Sequence, residues 1–370
     1  MEHIETVIIG GGQAGLSVGS CLRRLRRDFL ILDANERIGD AWRKRWDSLR
    51  LFTPARYNSL LGMPFPAPPY SYPTKDEMAG YLETYAARFA LPVRVGVRVD
   101  KLSRQEERFV VAAGDLRFEA DNVVVATGGY HMPRIPAFAP ELDSSILQFH
   151  SSEYRRLSQL REGSVLVVGA GNSGAEIALE VAQRHRTYLS GRHPGNEPTR
   201  AGGAADRFVT PVIWFVFSHV LTVSTPIGRS VASQLRSHGL PLARVRPGDL
   251  QAAGVERIHA RTVGVQGGLP LLDDGRILDV ANVIWCTGFQ PKYDWIDLTI
   301  FGEDGEPIHE RGVVTTEPGL YFVGLFFQSA ATSSLVGGVG KDAAYIAEQI
   351  ALRARGRGVI VSGRAATPTI

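Results

Sequence analysis

Cysteine is nearly absent from this chain. Its 370 residues hold two, Cys21 and Cys286, far apart in sequence. That excludes a disulfide framework, a CxxC redox pair and a cysteine-built zinc site, and it fits a reducing cytoplasm. No metal site is expected. Excess charge is lacking too: 41 Lys and Arg stand against 38 Asp and Glu, a net +3, too little and too evenly spread for a nucleic-acid binder. Nor is there a long apolar run. Val209 to Val223 falls short of the ~20 residues that span a bilayer and carries Pro211 and His219. It reads as a buried or channel-lining helix, with no stable membrane insertion. Met1-Glu2-His3 enters an apolar strand at once, without the pattern of a secretory leader.

Glycine, by contrast, is plentiful and punctuates strands. Thr6-Val7-Ile8-Ile9 is a continuous apolar run of the kind buried in a parallel sheet. It leads into Gly10-Gly11-Gly12-Gln13-Ala14-Gly15, a GxGxxG spacing, and then into a helical stretch that includes Cys21, read as a small core residue. Gly10 permits the tight turn, Gly12 lets backbone approach a pyrophosphate, and Gly15 lets helix pack on strand; the helix N-terminus then faces the anion. A second strand, Phe29 to Leu32, ends in Asp33-Ala34, which places a carboxylate about 20 positions on for the ribose hydroxyls.

The pattern recurs. Val165 to Val168 precedes Gly169-Ala170-Gly171-Asn172-Ser173-Gly174 and a helix, so the chain is built for two dinucleotides. Here the next strand ends in Ser190-Gly191-Arg192. A carboxylate at that place repels a 2′-phosphate, whereas a hydroxyl and a guanidinium suit one. FAD is therefore assigned to the first motif and NADPH to the second, with Ser190 and Arg192 on the phosphate.

Two further apolar strands close in Thr-Gly, at Thr127-Gly128 and Thr287-Gly288, where small residues let backbone pass a cofactor or cross between domains. At ~100–200 residues per domain, two are expected. The reading is an α/β chain with two Rossmann-like domains, one inserted in the other: an FAD domain over 1–155 and 289–355, an NADPH domain over 160–288 with a helical insertion at about 205–242, and a loosely held tail over 356–370. A last helix is expected from Lys341 to Leu352.

These residues resemble the flavin-containing monooxygenases and the related Baeyer-Villiger (class B) monooxygenases, especially their short bacterial members. The resemblance runs from Val7 to about Ile350. It includes both glycine motifs, Ile38-Gly39-Asp40-Ala41-Trp42, Trp46-Asp47-Ser48-Leu49, Pro64-Phe65-Pro66, both Thr-Gly hinges and Gly319-Leu320-Tyr321-Phe322-Val323-Gly324. It adds Trp42 and Gly324 to the flavin-side residues. The family's FxGxxxHxxxW/Y linker motif is half matched: His150 and Tyr154 are present, while Ser144 and Ile146 replace its Phe and Gly. In the family this histidine couples NADPH binding to oxygen chemistry, so the resemblance gives His150 and Tyr154 a catalytic place. It also implies oxygenation through a C4a-(hydro)peroxyflavin. Where several relatives carry a flavin-side asparagine, this chain has Phe52, which donates no hydrogen bond.

The function implied is an FAD-dependent, NADPH-using monooxygenase of a small, hydrophobic substrate, with dioxygen as co-substrate. The substrate pocket draws on Trp214, Phe215, Phe217, Val220 and Leu221, flanked by Arg200 and Arg207, which are read as solvent-facing. The competing readings are an NADPH oxidase or flavin reductase, which Phe52 favours, and a non-catalytic redox sensor. A homodimer is left open.

Overall fold

The structure, a computed structural model, describes residues 2–130, 132–198, 201–203, 205–238 and 241–362. Arg200, one of the two flanking arginines, lies outside them. The chain begins with β1 (Glu2–Ile9), turns into α1 (Gln13–Arg24) and returns through β2 (Phe29–Leu32). After α2 (Asp40–Arg43) and α3 (Lys75–Arg88) come β3 (Val93–Arg94), β4 (Lys101–Gln105), β5 (Arg108–Ala113) and β6 (Leu116–Val125). β1 lies between β2 and β6, parallel to both. The first half of β6 pairs antiparallel with β5, which turns from β4. This meander has no counterpart in the glycine-motif reading, which recognised only the apolar end of β6.

A two-residue strand, β7 (Met132–Pro133), and β8 (Leu147–His150) precede β9 (Val165–Val168), α4 (Asn172–Val181) and β10 (Thr187–Ser190). Next come α5 (Asp206–Phe215), a π-helical turn at Val216–Val220, α6 (Pro226–His238) and α7 (Pro247–Ala252). β11 (Glu256–Ile258), the hairpin of β12 (Thr262–Gln266) and β13 (Leu269–Leu272), and β14 (Asn282–Trp285) follow. β15 (Phe289–Gln290) pairs with β7. β16 (Leu320–Phe322) then joins the second half of β6 in parallel, and α8 (Val339–Ser362) ends the described chain.

Two sheets result. One runs β3-β2-β1-β6-β5-β4 with β16 beside β6; the other, all parallel, runs β11-β10-β9-β14-β8. The chain thus enters the second sheet at β8, before residue 155: Leu147–His150 is half-buried with mixed polarity, so its apolar pattern does not announce a strand. α8 also runs past Leu352, and residues 363–370 lie outside the described chain.

Strand alternation places the cores. Ile8 faces the layer of α1 and α8, packing with Leu16, Val18, Leu22, Ala343 and Ile346, while Val7 and Ile9 face the opposite layer with Tyr293, Ile296 and Ile300. β9 repeats the device, with Val165 and Val167 toward α4 and Leu166 and Val168 toward Trp285 and Ile258. Each such aliphatic side chain contributes roughly 1.5–3 kcal/mol when fully buried. This burial holds the two glycine turns at the carboxyl ends of their sheets, where open α/β sheets bind ligands. No described helix is long and apolar enough to cross a membrane.

Candidate functional site: two glycine cradles and the hinge between them

The two glycine turns are near copies. Gly10 has φ +113°, and a Cβ there would meet the Ala126 carbonyl oxygen at 2.5 Å; Gly169 has φ +105°, with the Cys286 carbonyl oxygen at 2.3 Å. A Cβ on Gly15 would lie 1.9 Å from the Gly10 oxygen, and one on Gly174 1.8 Å from the Gly169 oxygen. Gly12 and Gly171 face open space, with no protein atom within 4 Å. Two glycines in each turn are thus forced by packing, and the third keeps a concavity clear.

The helices that follow are bare at their N-termini. Neither α1 nor α4 has a side-chain cap among the described residues or an acidic residue in its first turn. α3 shows what the same chain does elsewhere: Thr74 and Glu77 form a capping box, and Asp76 adds a carboxylate. First-turn N–H groups left without side-chain acceptors, beside an open glycine, match a pyrophosphate. Gln13 and Ser173 are half-buried in these first turns, Ala14 is buried, and a Cβ on Gly324, at φ +90°, would meet the Ala14 Cβ at 3.0 Å. Thr127 Oγ1, next to the Ala126 carbonyl that packs on Gly10, and Trp46 Nε1 are buried without a hydrogen-bond partner among the described residues, and a bound group can satisfy such an atom. Ala34 is exposed, and Trp42 packs at the core's edge.

Asp33 is buried and already employed. Oδ2 accepts from the Gly11 N–H at 2.7 Å, and Oδ1 accepts from the backbone and side chain of Asn35 at 2.7 and 2.9 Å. The carboxylate therefore fixes the glycine turn itself, leaving its remaining lone pairs for a ribose. Asn172 is likewise committed: its amide donates to the Pro241 oxygen at 3.0 Å and accepts from the Ala243 N–H at 2.9 Å. It ties the chain leaving the helical insertion to the second cradle.

At the end of β10, Ser190 is fully buried and its hydroxyl lies 2.9 Å from that of Thr262. Arg192 is exposed and has no ion-pair or hydrogen-bond partner among the described residues. Two neighbours escaped the sequence reading. His193 Nδ1 accepts from the Gly195 N–H at 2.9 Å, so its proton is on Nε2, which is buried and unpartnered. Arg257, brought beside β10 by β11, donates to the carbonyls of Leu189, Ile258 and Gly191 at 2.6–2.8 Å. Burial, then Arg257 and His259, hold His193 below the ordinary histidine pKa. His193 could have been found as the next letter after Arg192; Arg257 had no signal, since only strand pairing makes it a neighbour.

His150 and Tyr154 meet different fates. His150 is fully buried, with Nε2 donating to the Gly288 carbonyl at 3.0 Å and Nδ1 accepting from the Ser152 N–H at 3.1 Å, with the Ser152 hydroxyl at 2.8 Å. Its ring packs edge-on to Phe289 at 4.9 Å, and the Arg45 guanidinium lies over both Phe289 and Tyr130. Burial keeps its pKa below the ordinary value against the pull of the Gly288 carbonyl. It is a neutral pin between linker and hinge. Gly288 and Gly128 both have positive φ, 81° and 75°, and the Thr287 hydroxyl donates to the Arg134 carbonyl. Tyr154 is buried and donates to Glu180 Oε1 at 3.2 Å, while Ser48 donates to Oε2 of the same carboxylate. One acid on α4 thus joins the linker to the segment after α2. Burial pushes the Cys286 thiol up to about 12, which leaves it inert.

The insertion divides unlike the expectation. Trp214 stacks on Tyr57 with centroids 4.6 Å apart and its edge closes on Gly337, and Leu221 is buried. Phe217 is half-buried, but Phe215 and Val220 point outward. The stretch is therefore not a buried helix: α5 has one face on the protein and one in solvent, because ten residues on an edge cannot be enclosed on all sides. Arg207 is exposed over the Tyr70 ring, as read. Phe52 is 37% exposed. Among the described residues no cluster of His, Cys, Asp and Glu is gathered for a metal.

Two tandem cradles of this construction are what a pyridine-nucleotide flavoprotein needs, and residues 7–212 match the pyridine nucleotide-disulphide oxidoreductase family. The chain belongs to that family. It is an oxidoreductase. It is 40% identical to an uncharacterized CzcO-like oxidoreductase of Geobacillus kaustophilus over 95% of this chain and 99% of that one. A flavin-containing monooxygenase from Stenotrophomonas maltophilia superposes with TM-score 0.76 at 30% identity, covering 96% of this chain and 100% of that one. The fold is shared as well with OTEMO in complex with FAD and NADP, at TM-score 0.68 and 16% identity over 95% and 86% of the two chains.

Proposed function

We propose that this oxidoreductase is an FAD-dependent, NADPH-using monooxygenase acting on a small, hydrophobic substrate with dioxygen. The observation that carries the reading is the pair of uncapped helix N-termini over open glycines, taken with full-length likeness to a flavin-containing monooxygenase. FAD belongs at α1, where Asp33 and Thr127 supply an acceptor and an unspent hydroxyl. NADPH belongs at α4, where the exposed Arg192 suits a 2′-phosphate and the neighbouring Nε2–H of His193 lacks a partner among the described residues. The FAD unit is the first sheet with β16 and α8, and the NADPH unit is the second sheet, from β8 to β14. FAD, when bound, supplies the hydride and oxygen chemistry. The protein's part is to hold the domains in register through His150 and Glu180, and to keep water out through the Trp214–Tyr57 roof.

Phe52 gives the NADPH oxidase reading its specific support, because no hydrogen-bond donor stands at that position. The deciding experiment supplies NADPH and labelled dioxygen to the FAD-loaded protein with a panel of thioethers, amines and ketones. Label in a product, with less peroxide released than NADPH consumed, establishes oxygenation. Peroxide in stoichiometric yield with every compound establishes the oxidase.

A further inference from the structure

The helical insertion exposes several large apolar side chains. Phe208, Val212 and Phe215 are 78%, 60% and 58% exposed, and their spacing of four and three residues puts them on one face of α5. Val220, closing the π-helical turn, and Ile227, in the first turn of α6, are exposed as well. This face is held out, not merely loose. On the inner side Asp206 is buried and accepts from the Tyr72 hydroxyl at 2.5 Å, and Trp214 is stacked on Tyr57. Scattered apolar residues need no explanation, but a fixed amphipathic helix with aromatic residues outward does.

The charge around this face is one-sided. Along the chain no acidic residue lies between Asp206 and Asp249, and the insertion's exposed cations are Arg207 and Arg229, Arg244 being engaged by Glu176. The chain as a whole is nearly balanced, with 41 basic and 38 acidic residues. Arg207, on α5 itself, and Arg229, on α6, are both exposed. Two copies of this sector brought face to face repel, whereas an anionic lipid surface attracts the arginines while its acyl boundary receives the rings.

We infer that the insertion docks the protein on the surface of an anionic bilayer, with α5 lying in the interface and no segment crossing it. The occupant is the lipid surface, since charge complementarity fails for a second copy. Each arginine near such a surface adds attraction that salt screens, and each buried ring adds apolar transfer.

Vesicle co-sedimentation of the full-length, FAD-loaded chain tests this. The protein should pellet with vesicles of mixed phosphatidylcholine and phosphatidylglycerol, remain in the supernatant with phosphatidylcholine alone, and be released by salt. Phe208→Ser with Phe215→Ser should weaken binding by about tenfold or more. Arg207→Glu with Arg229→Glu, which leaves the rings in place, should abolish the preference for anionic vesicles and serves if the first pair fails to retain flavin. Wild-type protein that stays in the supernatant with both vesicle types overturns the inference. So does equal pelleting of wild type and both variants. A twofold mass in light scattering that Phe215→Ser halves, without vesicle binding, assigns the face to self-association instead.

Discussion

Arg192 and Asp33 show how much a residue type at a given place conveys, and where it stops. A guanidinium after the second strand of a glycine-motif unit predicts phosphate selectivity, and the structure leaves Arg192 exposed and unpaired among the described residues. Arg192→Ala is therefore expected to raise KM for NADPH roughly 10–100-fold, the worth of a charge-assisted phosphate contact, with little change for NADH. Steady-state kinetics with both nucleotides check it; equal losses for the two would remove Arg192 from the phosphate site. Asp33 was legible as an acid at a strand end, but its bond to Gly11 was not, because the carboxylate had to fold back over the turn. His150 was legible only through resemblance. Its saturation by Ser152 and Gly288 makes it a pin, a role that depends on a carbonyl 138 residues away.

At the scale of elements, strand, glycine turn and helix could be read directly, since their spacing is local and their glycines answer to steric contacts within the same unit. The contacts are severe enough to test. Gly174→Ala places a Cβ against the Gly169 carbonyl at 1.8 Å and is expected to abolish measurable NADPH-driven flavin reduction while the flavin content of the purified protein stays near that of wild type. Gly15→Ala, the same change at 1.9 Å in the first cradle, should instead yield protein depleted of flavin. Absorbance of purified protein and anaerobic stopped-flow reduction separate the two. The helical insertion was less legible. Its length and apolarity were evident, but which side of α5 meets protein depends on Tyr57 and Tyr72, and period alone does not say whether an apolar face is covered.

Across the whole molecule, the segment after α2 meets the second unit along α4, through Ser48 on Glu180. Glu176 on this helix pairs with Arg244 at 3.3 Å, and Arg244 donates as well to the Arg50 carbonyl. Burial pushes Glu176 up to about 7 from 4.5, with Arg244 opposing. The folded protein then holds a proton that the unfolded chain releases between these values, so this contribution to stability is complete below pH 4.5 and is lost as pH rises through 7. Denaturant titrations from about pH 5 to 8 should show stability falling by on the order of 1–3 kcal/mol, a slope that Glu176→Gln removes. An unchanged slope in the variant would assign it to other groups.

The sequence by itself determined the two cradles, their order, the acid at one and the cation at the other. Each of these rests on residues within one strand-turn-helix unit, where the physics is local sterics and backbone hydrogen bonding. Only the tertiary structure decided that β8 joins the second sheet, that Arg257 lies beside the end of β10, that Glu180 binds Ser48 and Tyr154 together, and that the insertion turns aromatic rings outward. Those arrangements depend on pairings between distant segments and on which faces are left uncovered once the cores close, and neither is encoded in the order of residues along a single element.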